Sequence, residues 1–251
     1  MFIHKINPVL FKIGYFEIRY YGIIFALGFV LGYFIINHLV SKKEINLTKE
    51  DVSDLLFYVI ISAVIGARTL FVLYNIKYFI ENPLEIIAVW HGGLIFLGGF
   101  IGAVTSGIIF CKKKKIAFYQ IADIVVIPLA LGLALGRIAN FLNGEIVGRV
   151  SSVPWAVKFP GYEGFRHPSQ LYESLKNFFI FGCLWFLKNK KLKDGILFWS
   201  FLVLYSFLRF FIAFFKEVDQ YGTFLGLTPH QFIYGTIFII STIFILKINK
   251  K

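Results

Sequence analysis

Long apolar runs separated by short polar segments make up most of this sequence. An α-helix needs about 20 predominantly apolar residues to cross the hydrocarbon core of a bilayer. Runs of that length fall at 20–40, 52–74, 86–110, 118–143, 168–187, 194–215 and 226–247. The pattern therefore predicts an all-α integral membrane protein with seven transmembrane helices, arranged as a single transmembrane domain over residues 1–251.

The third of these runs differs from the others because glycine pairs interrupt it. Gly92–Gly93 and Gly98–Gly99 both lie within 86–110. Glycine-rich backbone at membrane depth is tolerated where it is buried in protein or lines a cavity. We therefore expect this span to have an unwound or re-entrant start.

The composition supports a membrane protein and argues against a nucleic-acid-binding one. Of the 251 residues, 58% are hydrophobic and 16% are charged, whereas a soluble domain carries about 25% charged residues. The net charge of +12 comes largely from lysines in short segments between apolar runs, such as 112–115 and 188–193. Such clusters are typical of a topology signal rather than of a nucleic-acid groove. We expect the lipid bilayer, and no nucleic acid, as a partner.

The distribution of these charges also predicts the orientation. Lysine and arginine are more abundant in the segments after the first, third, fifth and seventh runs than in the remaining segments. Because positive loops stay in the cytoplasm, the N-terminus is predicted to lie outside and the C-terminus in the cytoplasm. This fits a multi-pass membrane protein.

The two cysteines carry no chemistry that we can recognise. Cys111 and Cys183 lie in or beside apolar runs, where they form neither a disulfide framework nor a metal site. We accordingly expect no metal and no cofactor.

Three arginines lie inside the apolar runs. Arg68, Arg137 and Arg209 each stand six residues before the predicted outer end of their span, which is about 9 Å along a helix. An arginine at the centre of a membrane helix costs about 2.5–3.5 kcal/mol on insertion. Guanidinium groups bind phosphate through two parallel hydrogen bonds, so the three predict one outer site for an anionic headgroup. The alternative is that each arginine extends to the interface without binding anything.

Other polar groups are predicted at the same depth. Ordinary explanations exist for several of them, such as an aromatic belt for Tyr21, an interfacial position for His91 and a turn at Asn143–Gly144. The full set is Tyr21, His91, Asn140, Asn143, Gly144, Glu145, His167, Gln170, Glu173 and Tyr205.

The segment around Arg137 resembles a known family. Residues 136–149 read GRIANFLNGEIVGR, which is similar to the signature of the prolipoprotein diacylglyceryl transferases. Further similar segments cover most of the chain: Tyr20-Tyr21-Gly22, Gly66-Ala67-Arg68, the glycine pairs after Trp90, Arg166 to Glu173, and Tyr205 with Arg209. The resemblance implies seven spans with the N-terminus outside, in agreement with the charge distribution.

The resemblance also implies a reaction. The diacylglyceryl group of phosphatidylglycerol would move to the lipobox cysteine of a prolipoprotein signal peptide, forming a thioether and releasing glycerol phosphate. The candidate catalytic residues are Arg137, Arg209, His91, Tyr21 and Glu145. The candidate substrate-binding residues are Arg137, Asn140, Asn143, Gly144, Arg68, Tyr205, His167, Gln170 and Glu173.

The chain departs from the family pattern at two positions. Leu97 stands where many members have a histidine, and Ala213 stands where a carboxylate is common. The general base is therefore open between His91, a carboxylate at Glu145 or Glu173, and a thiol pKa lowered by Arg137 and its neighbours. Two other functions also stay open: a divergent paralogue acting on or binding anionic phospholipid without this transfer, and a non-enzymatic membrane protein that binds anions or lipid.

Overall fold

A computed structural model describes residues 1–14, 16–42, 45–217 and 222–250. Within these ranges the fold is mostly helical. The α-helices are α1 (Tyr20–Lys42), α2 (Lys49–Tyr74), α3 (Ile76–Glu81), α4 (Phe96–Lys114), α5 (Phe118–Asn143), α6 (Ser169–Leu187), α7 (Ile196–Ile212) and α8 (Pro229–Lys250). The short strands are β1 (Phe2–Ile3), β2 (Val9–Ile13), β3 (Phe16–Arg19) and β4 (Val157–Lys158).

Six helices in the described part of the chain are long and apolar enough to cross a membrane. They are α1, α2, α4, α5, α8, and α7 continued by a 3₁₀ turn to Phe215. The prediction of a multi-pass helical membrane protein is thereby confirmed in its coarse form. Helix α6 has sufficient length, but Glu173, Lys176 and Asn177 make its first half too polar to be counted with the others.

The predicted bounds of the third span were wrong. Residues Pro83–Ile87 and Val89–His91 form 3₁₀ turns, and α4 begins only at Phe96. Gly92 and Gly93 have φ angles of +84° and +76°, which a right-handed helix does not allow. The expected unwound start is thus confirmed, and the other predicted runs agree with helices to within three residues at each end.

The chain divides into two compact units, Met1–Ile36 with Ala122–Lys251 and Asn37–Ile121. The second unit is organised by the packing of α2 on α4. A Cβ atom added at Gly66 would collide with the carbonyl oxygen of Gly98, and one added at Gly102 would collide with the carbonyl oxygen of Ser62. Small residues allow the backbones of membrane helices to approach closely in this way.

In the first unit, α5 is the most buried of the six apolar helices, because half of the residues in its apolar stretch are buried inside the protein. Its buried Asp123 accepts hydrogen bonds from the backbone amides of Gly195 (2.8 Å) and Phe198 (2.7 Å), at the start of α7. The hydroxyl of Ser174 on α6 donates to the carbonyl of Ala134 on α5 at 2.9 Å. Asp123 and Ser174 therefore fix α7 and α6 against the central helix.

The N-terminal segment braces the end of α5. Strand β1 pairs in parallel with β4, placing Phe2 opposite Val157. The next residue in line, His4, is buried and donates from Nε2 to the carbonyl of Phe141 at 2.8 Å. Its ring packs against Phe141 and Phe159. This brace holds the last turn of α5, where the signature segment leaves the helix.

Candidate functional site

A buried carboxylate surrounded by cations forms the centre of the first unit. Glu173 on α6 is fully buried. Its Oε2 lies 2.8 Å from Lys176 Nζ, and its Oε1 lies 2.5 Å from Arg209 Nη1 on α7 and 3.4 Å from Lys216 Nζ. The Arg209 contact is an ion pair by distance, although its N–H direction falls outside hydrogen-bond geometry. One carboxylate therefore compensates three cations, and the cluster keeps a net positive charge.

Arg137 is a fourth cation, close enough to interact electrostatically with Lys176 and Lys216. Its Nη1 donates to Asn140 Oδ1 at 3.4 Å, three residues along α5. Among the described residues no carboxylate lies within ion-pair distance of Arg137, since none of the salt bridges involves it. A planar guanidinium with donors to spare is suited to an anion that accepts two hydrogen bonds.

The carboxylate of Glu145 is held by amides rather than by cations. Its Oε1 accepts from Asn140 Nδ2 at 2.9 Å and from Asn143 Nδ2 at 3.3 Å. The intervening Gly144 has a φ angle of +69°, which lets the chain turn back at the end of α5. The two asparagines and the glycine of the signature thus position Glu145.

Gly148 ties the signature segment to the ends of two other helices. Its amide donates to the carbonyl of His167 at 2.9 Å, and the amide of Arg149 donates to the carbonyl of Phe215 at 3.0 Å. A Cβ atom at Gly148 would lie only 2.5 Å from the Phe215 oxygen and 2.7 Å from the His167 oxygen. Only glycine fits where the backbone at 148 passes between Phe215 and His167. This close approach places Lys216 beside the first turn of α6.

The residues at the start of α6 face protein partners. Gln170 Nε2 donates to the carbonyl of Glu145 at 2.6 Å. His167 Nδ1 lies 2.9 Å from the hydroxyl of Tyr172, which also accepts from Trp155 Nε1 at 2.7 Å. Burial lowers the pKa of His167, and the nearby Arg149 acts in the same direction. These contacts favour a neutral, positioning role for His167.

Arg209 and Lys216 both line an open cleft of about 250 Å³. Burial, with a smaller contribution from Arg209, lowers the pKa of the Lys216 amine to about 8. Behind them, Lys176 Nζ lies 3.7 Å from the ring centroid of Tyr205. Among the described residues, the lining consists of Ile146, Val147, Arg209, Ala213, Lys216, Glu217, Thr228, His230 and Tyr234.

Arg68, in the second unit, binds the protein's own backbone. It donates to the carbonyls of Ile86 (3.0 Å), Gly92 (2.6 Å), Gly93 (3.1 Å), Ala88 (3.4 Å) and Glu85. These carbonyls all belong to the irregular segment before α4. Arg68 therefore holds that segment in place, an arrangement that the sequence pattern did not suggest.

His91 and Tyr21 are candidate catalytic residues whose described contacts are with residues close to them in the sequence. His91, in the second unit, donates from Nδ1 to Glu85 Oε2 at 2.9 Å, and both side chains are accessible. Tyr21 is exposed in the first turn of α1, with its ring stacked on Phe25 at 6.1 Å. Their assignment as catalytic residues stays a prediction.

The structure thus joins most of the predicted residues and adds others. Contacts within the first unit link Arg137, Asn140, Asn143, Gly144, Glu145, His167, Gln170, Glu173, Tyr205 and Arg209. Lys176 and Lys216 were missed as site residues. Lys176 was interpreted as a side chain that extends to the interface or lines a cavity, and Lys216 as a charge in a loop. The sequence offered a signal for Lys176 alone, because it stands three residues after Glu173 and therefore lies on the same face of the helix.

Comparison with known proteins supports the family resemblance. The family model described as "Prolipoprotein diacylglyceryl transferase" matches residues 8–247. Among curated relatives named phosphatidylglycerol–prolipoprotein diacylglyceryl transferase, one from Geobacter sulfurreducens is 40% identical over 92% of this chain and 88% of its own length. One from Rickettsia typhi is 36% identical over 100% of both chains. The chain therefore belongs to the prolipoprotein diacylglyceryl transferase family.

Proposed function

We propose that this protein transfers the diacylglyceryl group of phosphatidylglycerol to the lipobox cysteine of prolipoproteins. The carrying observation is the cluster of Arg137, Lys176, Arg209 and Lys216 around the single carboxylate of Glu173. It occurs in a family whose curated members are named for this reaction. Such a cluster suits phosphatidylglycerol, because the only charged group of this lipid is its phosphate.

The proposed chemistry places the developing charge on that phosphate. The thiol sulfur attacks the glyceryl carbon that bears the phosphate, the C–S bond forms, and the C–O bond to the phosphate breaks. Glycerol phosphate leaves with one more negative charge than the phosphodiester had. Arg137, Arg209 and Lys216 stabilise this charge, because fixed cations in a site of low water content act most strongly where charge develops.

The remaining candidates take supporting roles in the proposal. Asn140, Asn143 and Gly144 hold Glu145 beside Arg137, and Gln170 and His167 fix the segment that follows. Glu173 and Tyr205 set the positions of Lys176 and Arg209. His91 and Tyr21 stay candidate catalytic residues, and Arg68 stays a candidate substrate-binding residue.

We further propose that α6 is the seventh span of one transmembrane domain, with the N-terminus outside and the C-terminus in the cytoplasm. The membrane is the bacterial cytoplasmic (inner) membrane. The polar residues that lower the hydropathy of α6 support its insertion, because Glu173, Lys176 and Asn177 are all buried within the protein. Paired charges inside a bundle do not face lipid.

The test is transfer from labelled phosphatidylglycerol to a lipobox peptide by purified protein in micelles. Arg137→Ala is expected to abolish transfer and Arg209→Ala to reduce it nearly to zero, since each removes a cation from the leaving phosphate. Arg19→Ala is the matched control, because Arg19 is exposed and pairs only with Glu17 among the described residues. Wild-type transfer by Arg137→Ala overturns the site.

The second candidate function is a divergent paralogue that binds anionic phospholipid without transfer. Leu97 and Ala213 favour it, because they replace a histidine and a carboxylate that are common in the family. Rescue of a cell depleted of its own transferase decides between the two. Failure of rescue at normal expression, with phosphatidylglycerol binding retained, supports the paralogue.

A further inference from the structure

The transfer reaction needs an acceptor for the thiol proton. The thiolate, not the thiol, is the attacking species, and the histidine and the carboxylate common in the family are replaced here by Leu97 and Ala213. Ala213 lines the cleft that also contains Arg209 and Lys216. A different proton acceptor is therefore expected at this cleft if the proposed function holds.

The described lining of the cleft includes one imidazole, that of His230. His230 is the second residue of α8 and is accessible to solvent. The sequence pattern gave no reason to select it, because it follows Pro229 at the polar start of an apolar run. In the structure it shares the cleft with the two cations that are proposed to hold the phosphate.

The first turn of α8 is fixed against α7 beside these residues. Gln231, which follows His230, is buried and donates from Nε2 to the carbonyl of Phe210 at 3.3 Å. Its Oε1 accepts from the amide of Thr228 at 2.8 Å. Because Phe210 follows Arg209 directly, these bonds hold the backbone of His230 in register with that of Arg209.

We propose that His230 accepts the proton of the lipobox thiol. Neutral His230 takes the proton as the sulfur bonds to the glyceryl carbon, and the electron pair of the broken C–O bond goes to the departing phosphate. The products are an imidazolium, the thioether and the glycerol phosphate dianion, so charge is conserved. The proton then passes to water, which the accessible imidazole contacts.

Besides His230 and Arg209, the described lining of the cleft contains three titratable groups, those of Glu217, Lys216 and Tyr234. Glu217 Oε1 lies 3.2 Å from Arg166 Nη1. Lys216 pairs with Glu173, and the ring of Tyr234 lies 5.4 Å from the guanidinium carbon of Arg209. These groups and Arg209 are the described charged and titratable groups that share the cleft with His230.

The experiment compares His230→Gln with two matched histidine variants, His91→Gln and His38→Gln, over about pH 5.5–9, where histidine titrates. The expected result for His230→Gln is a fall in kcat of about 100-fold, the usual contribution of a general base, with KM for phosphatidylglycerol unchanged. The acid limb of its pH–rate profile disappears. His38→Gln is expected to behave as wild type.

A carboxylate variant separates proton transfer from packing. His230→Glu is expected to recover part of the rate, with the acid limb moved to lower pH, because a carboxylate is a weaker base. A wild-type rate and profile in His230→Gln overturns the inference, as does loss of the acid limb in His91→Gln instead. Absence of transfer by the wild-type protein overturns the proposed function itself and is seen before any variant is compared.

Discussion

The buried carboxylate at the centre of the cation cluster gives the sharpest test of the structure. Glu173→Gln keeps the size of the side chain and removes its charge. Lys176, Arg209 and Lys216 lie 2.8, 2.5 and 3.4 Å from its oxygens. After the change, these cations and Arg137 would repel one another without a carboxylate between them.

The expected cost follows from the burial of the group. Removing one partner of a buried ion pair destabilises a protein by about 3–5 kcal/mol. For a chain of this size, each kcal/mol lowers Tm by about 2–4 °C, so the expected fall is about 6–20 °C. Transfer activity falls with it, because the carboxylate that pairs with Arg209 and sets its position is lost.

The assay is thermal unfolding of purified protein in micelles of defined lipid. Phosphatidylglycerol is expected to restore part of the lost Tm of Glu173→Gln, because its net negative headgroup replaces the missing charge, whereas phosphatidylcholine, whose choline cation neutralises its phosphate, is not. Glu163→Gln, on an exposed loop, is the control and should unfold as wild type does. A wild-type Tm for Glu173→Gln, or equal restoration by both lipids, refutes the reasoning. Lost activity with an unchanged Tm would instead indicate a catalytic carboxylate.

Three further predictions concern the helices that support the site. Arg68→Lys is expected to lower the free energy of unfolding by about 3–6 kcal/mol, because one ammonium cannot reach five carbonyls and at least two charge-assisted bonds are lost. Unfolding in denaturant measures this change. An unchanged midpoint would contradict the conclusion that Arg68 holds the segment before α4 in place. Gly98→Ala is expected to lower Tm by forcing α2 and α4 apart, whereas Gly107→Ala on the same helix meets nothing within 4 Å and should leave Tm equal or higher. Asp123→Asn replaces one of two acceptors at the start of α7 and is expected to cost about 1–3 kcal/mol, more than the exposed Asp194→Asn in the same thermal assay.

The periodicity and length of the apolar runs were sufficient to predict the helices. They failed at residues 86–95, because hydropathy alone does not register the positive φ angles of Gly92 and Gly93. The signature around Arg137 was recognisable because its residues are close in sequence. Six of the predicted runs carried no such interruption and became helices with nearly the expected ends.

The contacts that define the site were less predictable. Glu173 and Arg209 lie on different helices, and no local pattern specifies which faces of α6 and α7 meet. Arg68 was interpreted as a headgroup ligand because its true partners could not be identified from the sequence. They are backbone carbonyls, which every residue has and which no sequence motif marks. Lys216 was counted with the loops, although burial and Gly148 place it in the cluster.

The pairing of β1 with β4 has a consequence for how the chain is made. Phe2–Ile3 pairs with Val157–Lys158, and His4 bonds to Phe141, so β1 waits for a partner that is synthesised about 150 residues later. At about 5–20 residues per second, that delay is about 8–30 s. During it the apolar strand β1 has no ladder partner. A nascent chain halted before residue 157 therefore contains all of α5, but it lacks the pairing of β1 with β4.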